Sequence, residues 1–453
     1  MRTKLVQWFG DRAFLKQLNK LALPIALQSF MLAAVAAADS LMLGSLHENY
    51  MSAVSQATQI QFIQNMILSS VVSGCTILGA QYWGKGAKDT VRDIFCMILR
   101  LNTLVSLAFF AACELCPGTL MRIFTNEPEL QQIGVEYLKI AGWSYLLTGI
   151  SQCYLAIMKV SEHPDAAATI SISAVIINIV FNALLIYGIG PFARMEARGA
   201  ALATLISRIL ELAACVLLSL RKGYMRPRLS GLMHTYRYLI KDFAKCVLPV
   251  LASSLLWGGG FTSYTAFMGH MGKAAAAANA VTAVVRDLVC CACNGLAAAA
   301  GIMIGYELGA GRLMQGKLYG ERIMRLSFVC GALSTLIMFA LIPPLLGFIK
   351  LDGESRRYFI QMMLIMSFYM IGRCVNTIVI NGIFYCGGDI IFDTYSLIVS
   401  MWLIAIPLAF LGTHFKWPVP LVYACTCVDE VGKIPWVIAH FYKYKWVKDL
   451  TKA

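Results

Sequence analysis

The amino-acid sequence predicts an all-α integral membrane protein, with twelve transmembrane helices in two pseudo-symmetric six-helix bundles arranged as parallel repeats. Three observations predict it. First, 59% of the 453 residues are hydrophobic and only 14% charged, against roughly 45–50% and 25% in soluble domains. A soluble globule could not keep that much apolar surface dry. Second, apolar runs longer than about 18 residues recur along the whole chain, each long enough to cross a bilayer as a helix. Third, the chain matches itself at a fixed offset, and such self-similarity marks repeated architecture.

The spans are expected at 14–46, 52–83, 91–116, 132–157, 163–189 and 195–221, then at 241–269, 276–309, 317–344, 357–385, 389–414 and 418–444. The first apolar run, Leu21 to Leu46, is too long for a signal-peptide core and has no small-residue cleavage site behind it, so it is expected to be retained. Between the sixth and seventh spans lies Arg221-Lys-Gly-Tyr-Met-Arg-Pro-Arg228, the most basic polar stretch. It divides the chain into an N-lobe at 1–221, a basic cytoplasmic linker at 222–240 and a C-lobe at 241–453.

The repeat is read from residues that mark backbone geometry. At an offset of 225, Pro24 meets Pro249, Ser29 meets Ser254, Gly44 meets Gly269, Gly84 and Gly86 meet Gly309 and Gly311, and Arg100 meets Arg325. At one residue less, Tyr145 meets Tyr369, Asp165 meets Asp389 and Gly188 meets Gly412. Each half holds an even number of spans, so both copies enter the membrane with the same orientation. Parallel repeats of this kind, with a site at their interface, are a recognised transporter design.

A net charge of +14 invites a nucleic-acid reading, but the basic residues follow topology. With the N-terminus inside, 24 of the 38 Lys and Arg fall in cytoplasmic segments, 8 in the opposite segments and 6 within spans. This is the positive-inside pattern. It places both termini in the cytoplasm and the chain in the inner or plasma membrane, with the lipid bilayer and no nucleic acid as partner. Fifteen Cys fall almost entirely inside apolar helices, where they pack as small residues; Cys290 and Cys293 form a CxxC without a second pair. The six His stand at loops or helix ends without metal-ligand spacing, and neither GxxxxGK[ST] nor HExxH occurs. No cofactor, resident metal or enzymatic activity is expected.

Asp39 stands in Ala33-Ala-Val-Ala-Ala-Ala-Asp39-Ser within the first span. An ionised Asp at mid-bilayer costs about 2.5–3.5 kcal/mol on insertion scales, so such residues are usually interior-facing and functional. Burial favours a neutral carboxyl, whereas hydrogen bonds or a bound cation favour the charged one. A carboxyl balanced between them can exchange a proton for another cation, although it could also be a purely structural hydrogen-bonding group. In the fifth span Asn178 and Asn182 lie at i and i+4 on one helix face, and Thr204 stands in the sixth. Their oxygens suit Na⁺ or a proton relay, or simply interhelical hydrogen bonding. Arg208 with Glu211, and Asp429 and Glu430 with Lys433, are spaced for pairing along one helix. Arg286 and Asp287 are consecutive, so they should point apart and find partners elsewhere; Asp287 is a secondary candidate for a proton step.

Leu21-Ala-Leu-Pro24-Ile, Asp39-Ser-Leu-Met-Leu-Gly44 and Gly79-Ala-Gln-Tyr-Trp-Gly84-Lys-Gly86 resemble the multidrug and toxic compound extrusion (MATE) family. So do Gly199-Ala-Ala-Leu-Ala-Thr204-Leu-Ile-Ser207-Arg208 and Asn381-Gly-Ile-Phe-Tyr-Cys-Gly387-Gly388-Asp389. The resemblance implies a twelve-helix, two-lobe antiporter that expels organic, often cationic compounds in exchange for H⁺ or Na⁺ by alternating access, acting as a monomer. Members similar to the DNA-damage-inducible branch couple through an N-lobe set that maps by motif onto Asp39, Asn178, Asn182 and Thr204. Where that pattern often has Asp, this chain has Asn182, which leaves one carboxylate and puts Na⁺ coupling in doubt. Other branches use acids in the seventh and tenth helices; Cys246 to Gly269 and Tyr358 to Tyr385 contain none. The fold motifs leave open a flippase for a lipid-linked or amphiphilic substrate. At the repeat offsets Asp39 meets Tyr264, Asn178 meets Trp402 and Asn182 meets Ile406, so the N-terminal copy alone is expected to hold the coupling site.

Overall fold

The computed structural model describes residues 10–44, 48–228, 231, 237–348 and 353–452, without the side chains of 36, 37, 39–41, 43, 44 and 48. Among the described residues the structure is helical throughout, with no strand. The helices are α1 (Arg12–Gly44), α2 (Glu48–Gly84), α3 (Lys88–Leu115), a short α4 (Pro117–Phe124), α5 (Pro128–Val160), α6 (Pro164–Tyr187) and α7 (Glu196–Ser219). The second set comprises α8 (Arg237–His270), α9 (Lys273–Gly309), α10 (Leu313–Phe348) and α11 (Gly353–Asn376), which runs on as a π-helical stretch over Thr377–Phe384. α12 (Ile391–Leu397) continues through a second π-helical stretch, Ile398–Ala405, into α13 (Ile406–His414), and α14 (Val419–Phe441) closes the series. With α4 set aside as too short, and with α12 and α13 taken as one span, twelve long helical segments stand where the apolar runs predicted them. Among the described residues, nine are apolar enough by length and composition to cross a membrane.

Proline and glycine punctuate the helices as their backbones require. Pro117, Pro128 and Pro164 occupy first turns, where a missing N–H costs nothing. Gly86 and Gly311, equivalent in the repeat, both turn the chain with positive φ, 82° and 77°, a region closed to most side chains.

Packing divides the chain into two compact units that are not cut at one point of the sequence. One holds 30–79 with 87–247, and the other holds 1–29, 80–86 and 248–453. The start of each half's first helix therefore belongs with the other half's helices. In the C-terminal unit, Gly295 of α9 lies against Ala22 and Ala26 of α1, and an added Cβ would come 2.7 Å from the Ala22 carbonyl oxygen. In the N-terminal unit, Gly74 of α2 lies against Phe243 and Val247 of α8. The repeat is also visible as a local two-fold arrangement at the ends of α2 and α9. Gly84 backs onto Tyr306 and Gly309 onto Gln81, two contacts that the 225-residue offset interchanges. Ala80 and Gly305, each other's equivalents, meet between them, with a Cβ on Gly305 lying 2.9 Å from that of Ala80. A contact that maps onto itself when the copies are exchanged is the signature of two-fold pairing.

The chain after α14 folds back onto this corner of the C-terminal unit. Gln81 Nε2 donates to the Cys386 and Lys448 carbonyls, at 2.6 and 3.2 Å, and its Oε1 accepts from Leu450 N–H at 2.7 Å. Trp446 is fully buried over Gly320 and Gly387. Nearby, burial and a hydrogen bond to Glu321 push the Tyr444 phenol up to about 12.

Candidate functional site

In the N-terminal unit, α6 and α7 approach closely because α7 opens on small residues: a Cβ on Gly199 would sit 2.8 Å from the Leu185 carbonyl. That approach brings three of the four predicted coupling residues together as a directional hydrogen-bond chain. Asn182 Nδ2 donates to Asn178 Oδ1 at 3.1 Å, Asn178 Nδ2 donates to Thr204 Oγ1 at 3.2 Å, and the Thr204 hydroxyl donates to the Ala200 carbonyl at 3.0 Å. Both amides are buried. Asp39 belongs to α1 in the same compact unit, but its side chain lies outside the described residues. The chain contains no formal charge, so whatever ionic chemistry it serves must come from another group.

A second polar layer lies seven residues along both helices from Asn178 and Thr204. Buried Glu211 on α7 accepts from Ser151 of α5 at 3.2 Å and Ser171 of α6 at 3.5 Å, and pairs with Arg208 at 2.6 Å. This bears out the predicted Arg208–Glu211 pairing and adds two serines that the sequence did not single out.

The C-terminal unit departs from expectation. Arg286 and Asp287 do not point to separate partners: the guanidinium folds back, with Nε and Nη2 at 2.9 and 2.8 Å from Asp287 Oδ1. The two Cβ atoms do diverge, but the length of the Arg side chain overrides that divergence. Asp287 is 60% exposed at its side chain, so this secondary candidate is a neutralised pair at a surface of the fold. Glu430 likewise pairs across helices instead of with Lys433. Its Oε1 accepts from Arg373 Nη1 at 2.8 Å and its Oε2 from Asn376 Nδ2 at 2.7 Å, both on α11. Gly372 makes this possible, since a Cβ there would lie 2.8 Å from the Glu430 carbonyl oxygen. Asp429 accepts from Tyr264 at 3.3 Å and from the Glu430 N–H at 2.8 Å, while Asp393 on α12 accepts from Tyr385 at 2.5 Å. Asp393, Asp429, Glu430 and Lys433 are all buried. The C-terminal copy therefore holds a charged centre of its own. Sequence reasoning missed it because its members come from four different helices and pair across them.

All fifteen cysteines are free thiols. Among the described residues no three His, Cys, Asp or Glu side chains are grouped to hold a metal ion.

Two repeated sets of membrane-length helices, with polar side chains buried inside each compact unit, define a multi-span membrane transporter. The MatE family profile matches residues 24–184 and 249–411, two copies that begin 225 positions apart, and the chain belongs to that family of transporters. It is 23% identical to the "Uncharacterized transporter YisQ" of Bacillus subtilis over 93% of this chain and 92% of that one. It is also 23% identical to the "Probable multidrug resistance protein NorM" of Halalkalibacterium halodurans over 87% and 86%. Among solved structures it is similar to a point mutant of the Vibrio cholerae MATE transporter VcmN, with TM-score 0.88, 14% identity, and 97% and 99% of the two chains covered. A multidrug resistance MATE family transporter in an outward-facing conformation matches with TM-score 0.86, 15% identity and 99% and 98% coverage. These likenesses carry the fold, in which twelve helices form two lobes.

Proposed function

We propose that this protein is a secondary active antiporter that exports organic, often cationic compounds in exchange for H⁺ by alternating access of its two lobes. Asp39 is the coupling carboxyl in this reading. The observation that carries it is the three-link chain from Asn182 through Asn178 to Thr204, in the same unit as the segment bearing Asp39. An amide presents a donor and an acceptor, so Asn178 and Asn182 can hydrogen-bond a carboxyl in either protonation state. A proton needs only that carboxyl. Na⁺ would need a shell of oxygens, and here Asn178 Oδ1 and Thr204 Oγ1 already accept hydrogen bonds. With Asn at 182 the set has a single acid, which supports H⁺ over Na⁺ as the coupling ion. The names of the NorM relatives support a drug-like cargo, and the Lys and Arg asymmetry supports a plasma-membrane location with both termini inside.

Reconstituted, inside-out vesicles test the reading with a panel of cationic dyes driven in turn by a pH gradient and by a Na⁺ gradient. The pH gradient should drive dye uptake, and Asp39→Asn should abolish it. Undiminished coupled transport by Asp39→Asn would sink the assignment, and scrambling of labelled lipid without any dye movement would favour a flippase.

A further inference from the structure

We propose that the charged centre of the C-terminal unit is a second proton-exchange site, with the Asp429 carboxyl as the proton carrier and Lys433 as its built-in counter-cation. Charge balance within the centre is the first argument. The groups are three buried acids, Asp393, Asp429 and Glu430, the buried Lys433, and Arg373, whose side chain is 21% exposed. The nearby Arg286–Asp287 pair is neutral within itself. With every group ionised the centre carries one uncompensated negative charge among largely buried side chains, which keeping one proton resolves.

Hydrogen bonding decides which acid keeps it. Glu430 is held by Arg373 and Asn376, and Asp393 receives the short bond from Tyr385 and a second from Ser253. Asp429 has only its neighbour's backbone N–H and a 3.3 Å contact from Tyr264. It is the least satisfied anion of the three.

An ammonium without an ion pair and one buried acceptor without a donor mark the centre as a place of exchange and not a closed structural network. Lys433 is 3% exposed and makes no hydrogen bond or ion pair among the described residues, although its charge acts on Asp393, Asp429 and Glu430 alike. The Asn376 Oδ1 atom is a buried acceptor without a donor. The two π-helical stretches sit beside the centre, one beginning immediately after Asn376 and the other one residue past Leu397, a turn beyond Asp393. Such stretches frequently accompany functional sites.

The groups that face Asp429 are Tyr264 from α8, Tyr369 and Arg373 from α11, and Cys427, Glu430 and Lys433 from its own helix. Asp393 reaches the same ammonium from α12, and Arg286 of α9 stands next to Tyr369 and Tyr423. The π-helical stretch Ile398–Ala405 contributes no titratable side chain, and α13 contributes only His414, which stacks on Phe410 at its far end.

The exchange step balances simply. The O–H bond of the Asp429 carboxyl breaks, the proton passes to water, and the centre goes from neutral to one net negative charge. The positive charge of an organic cation can then restore neutrality, so one proton leaves for each monovalent cation bound. The role in transport rests on the antiporter reading; the existence of a titrating carboxyl does not.

Infrared difference spectra of proteoliposomes, recorded between acidic and alkaline buffer, test the site without any cargo. Wild type should show a protonated-carboxyl band that disappears at alkaline pH. Asp39→Asn should keep a band that Asp429→Asn loses, Asp429→Glu should restore it at a shifted frequency, and Lys433→Met should add a second protonated carboxyl. Ethidium uptake driven by a pH gradient supplies the transport readout, expected to fall at least about tenfold in Asp429→Asn and to recover in Asp429→Glu. A spectrum unchanged by Asp429→Asn and Asp429→Glu, or a band that does not respond to pH, overturns the proposal and leaves the role of Asp39 standing. A titrating Asp429 band in a protein whose dye uptake survives Asp39→Asn overturns the N-lobe reading instead and leaves Asp429 as the coupling carboxyl.

Discussion

Arg373→Met tests how much the cross-helix pairing contributes to the C-terminal unit. The substitution keeps much of the side-chain volume and removes the partner 2.8 Å from Glu430 Oε1. Glu430 is 4% exposed and would retain the Asn376 amide and the unbonded charge of Lys433. Removing one member of a buried pair costs about 3–5 kcal/mol, because the surviving charge stays desolvated and loses its bonded partner. The compact unit of 1–29, 80–86 and 248–453 holds about 240 residues. At about 2.1 cal/mol/K per residue its unfolding entropy is about 0.5 kcal/mol/K, so the loss corresponds to a drop of roughly 6–10 °C in the unfolding midpoint. Size-exclusion chromatography after heating in detergent measures that midpoint. The double variant Arg373→Met/Glu430→Gln removes the orphaned charge and should recover more than half of the loss. A single variant as stable as wild type, or a double variant no better than the single, would refute the reasoning.

Gly84→Val and Gly309→Val insert a side chain into two contacts that the repeat interchanges, and each should cost about 1–3 kcal/mol through overpacking. The same heating assay should give nearly equal losses, and tolerance at one position with collapse at the other would contradict the two-fold arrangement. Asn178→Ala removes the middle of the α6–α7 chain and with it the bonds that Asn182 and Thr204 make to Asn178. A cost of about 1–3 kcal/mol is expected, together with weakened pH-driven dye uptake, whereas Thr204→Val should be milder because the Asn178–Asn182 bond is kept. Gln81→Leu removes two donated bonds and one accepted bond to the C-terminal tail, so limited proteolysis should cleave after Tyr442 in this variant before it does so in wild type.

The spans were legible because the bilayer imposes one length and one polarity on every helix. The offset of 225 was legible because Gly and Pro are fixed by backbone geometry, and its equivalences reappear as real contacts, with Gly84 on Tyr306 and Gly309 on Gln81. The N-lobe amides were legible because an i, i+4 spacing survives translation into three dimensions. The side-chain partners in the C-terminal unit were not. Arg286 curls back on its neighbour because its length outweighs the divergence of the two Cβ atoms. Glu430 turns to Arg373 because Gly372 lets α11 come closer than the next turn of α14, and neither effect is written in local spacing. The π-helical stretches left no trace in composition either, since Thr377–Phe384 and Ile398–Ala405 read as ordinary apolar helix.

The exchange of first-helix starts bears on how the polypeptide is made. Ala26 finds its seat only when Gly295 exists, roughly 270 residues later. At about 5–20 residues per second, that is a wait of roughly 13–54 s. During that interval Ala22 and Ala26 stand without their eventual neighbour, so the compact unit that holds them cannot complete its packing until the second half has been made.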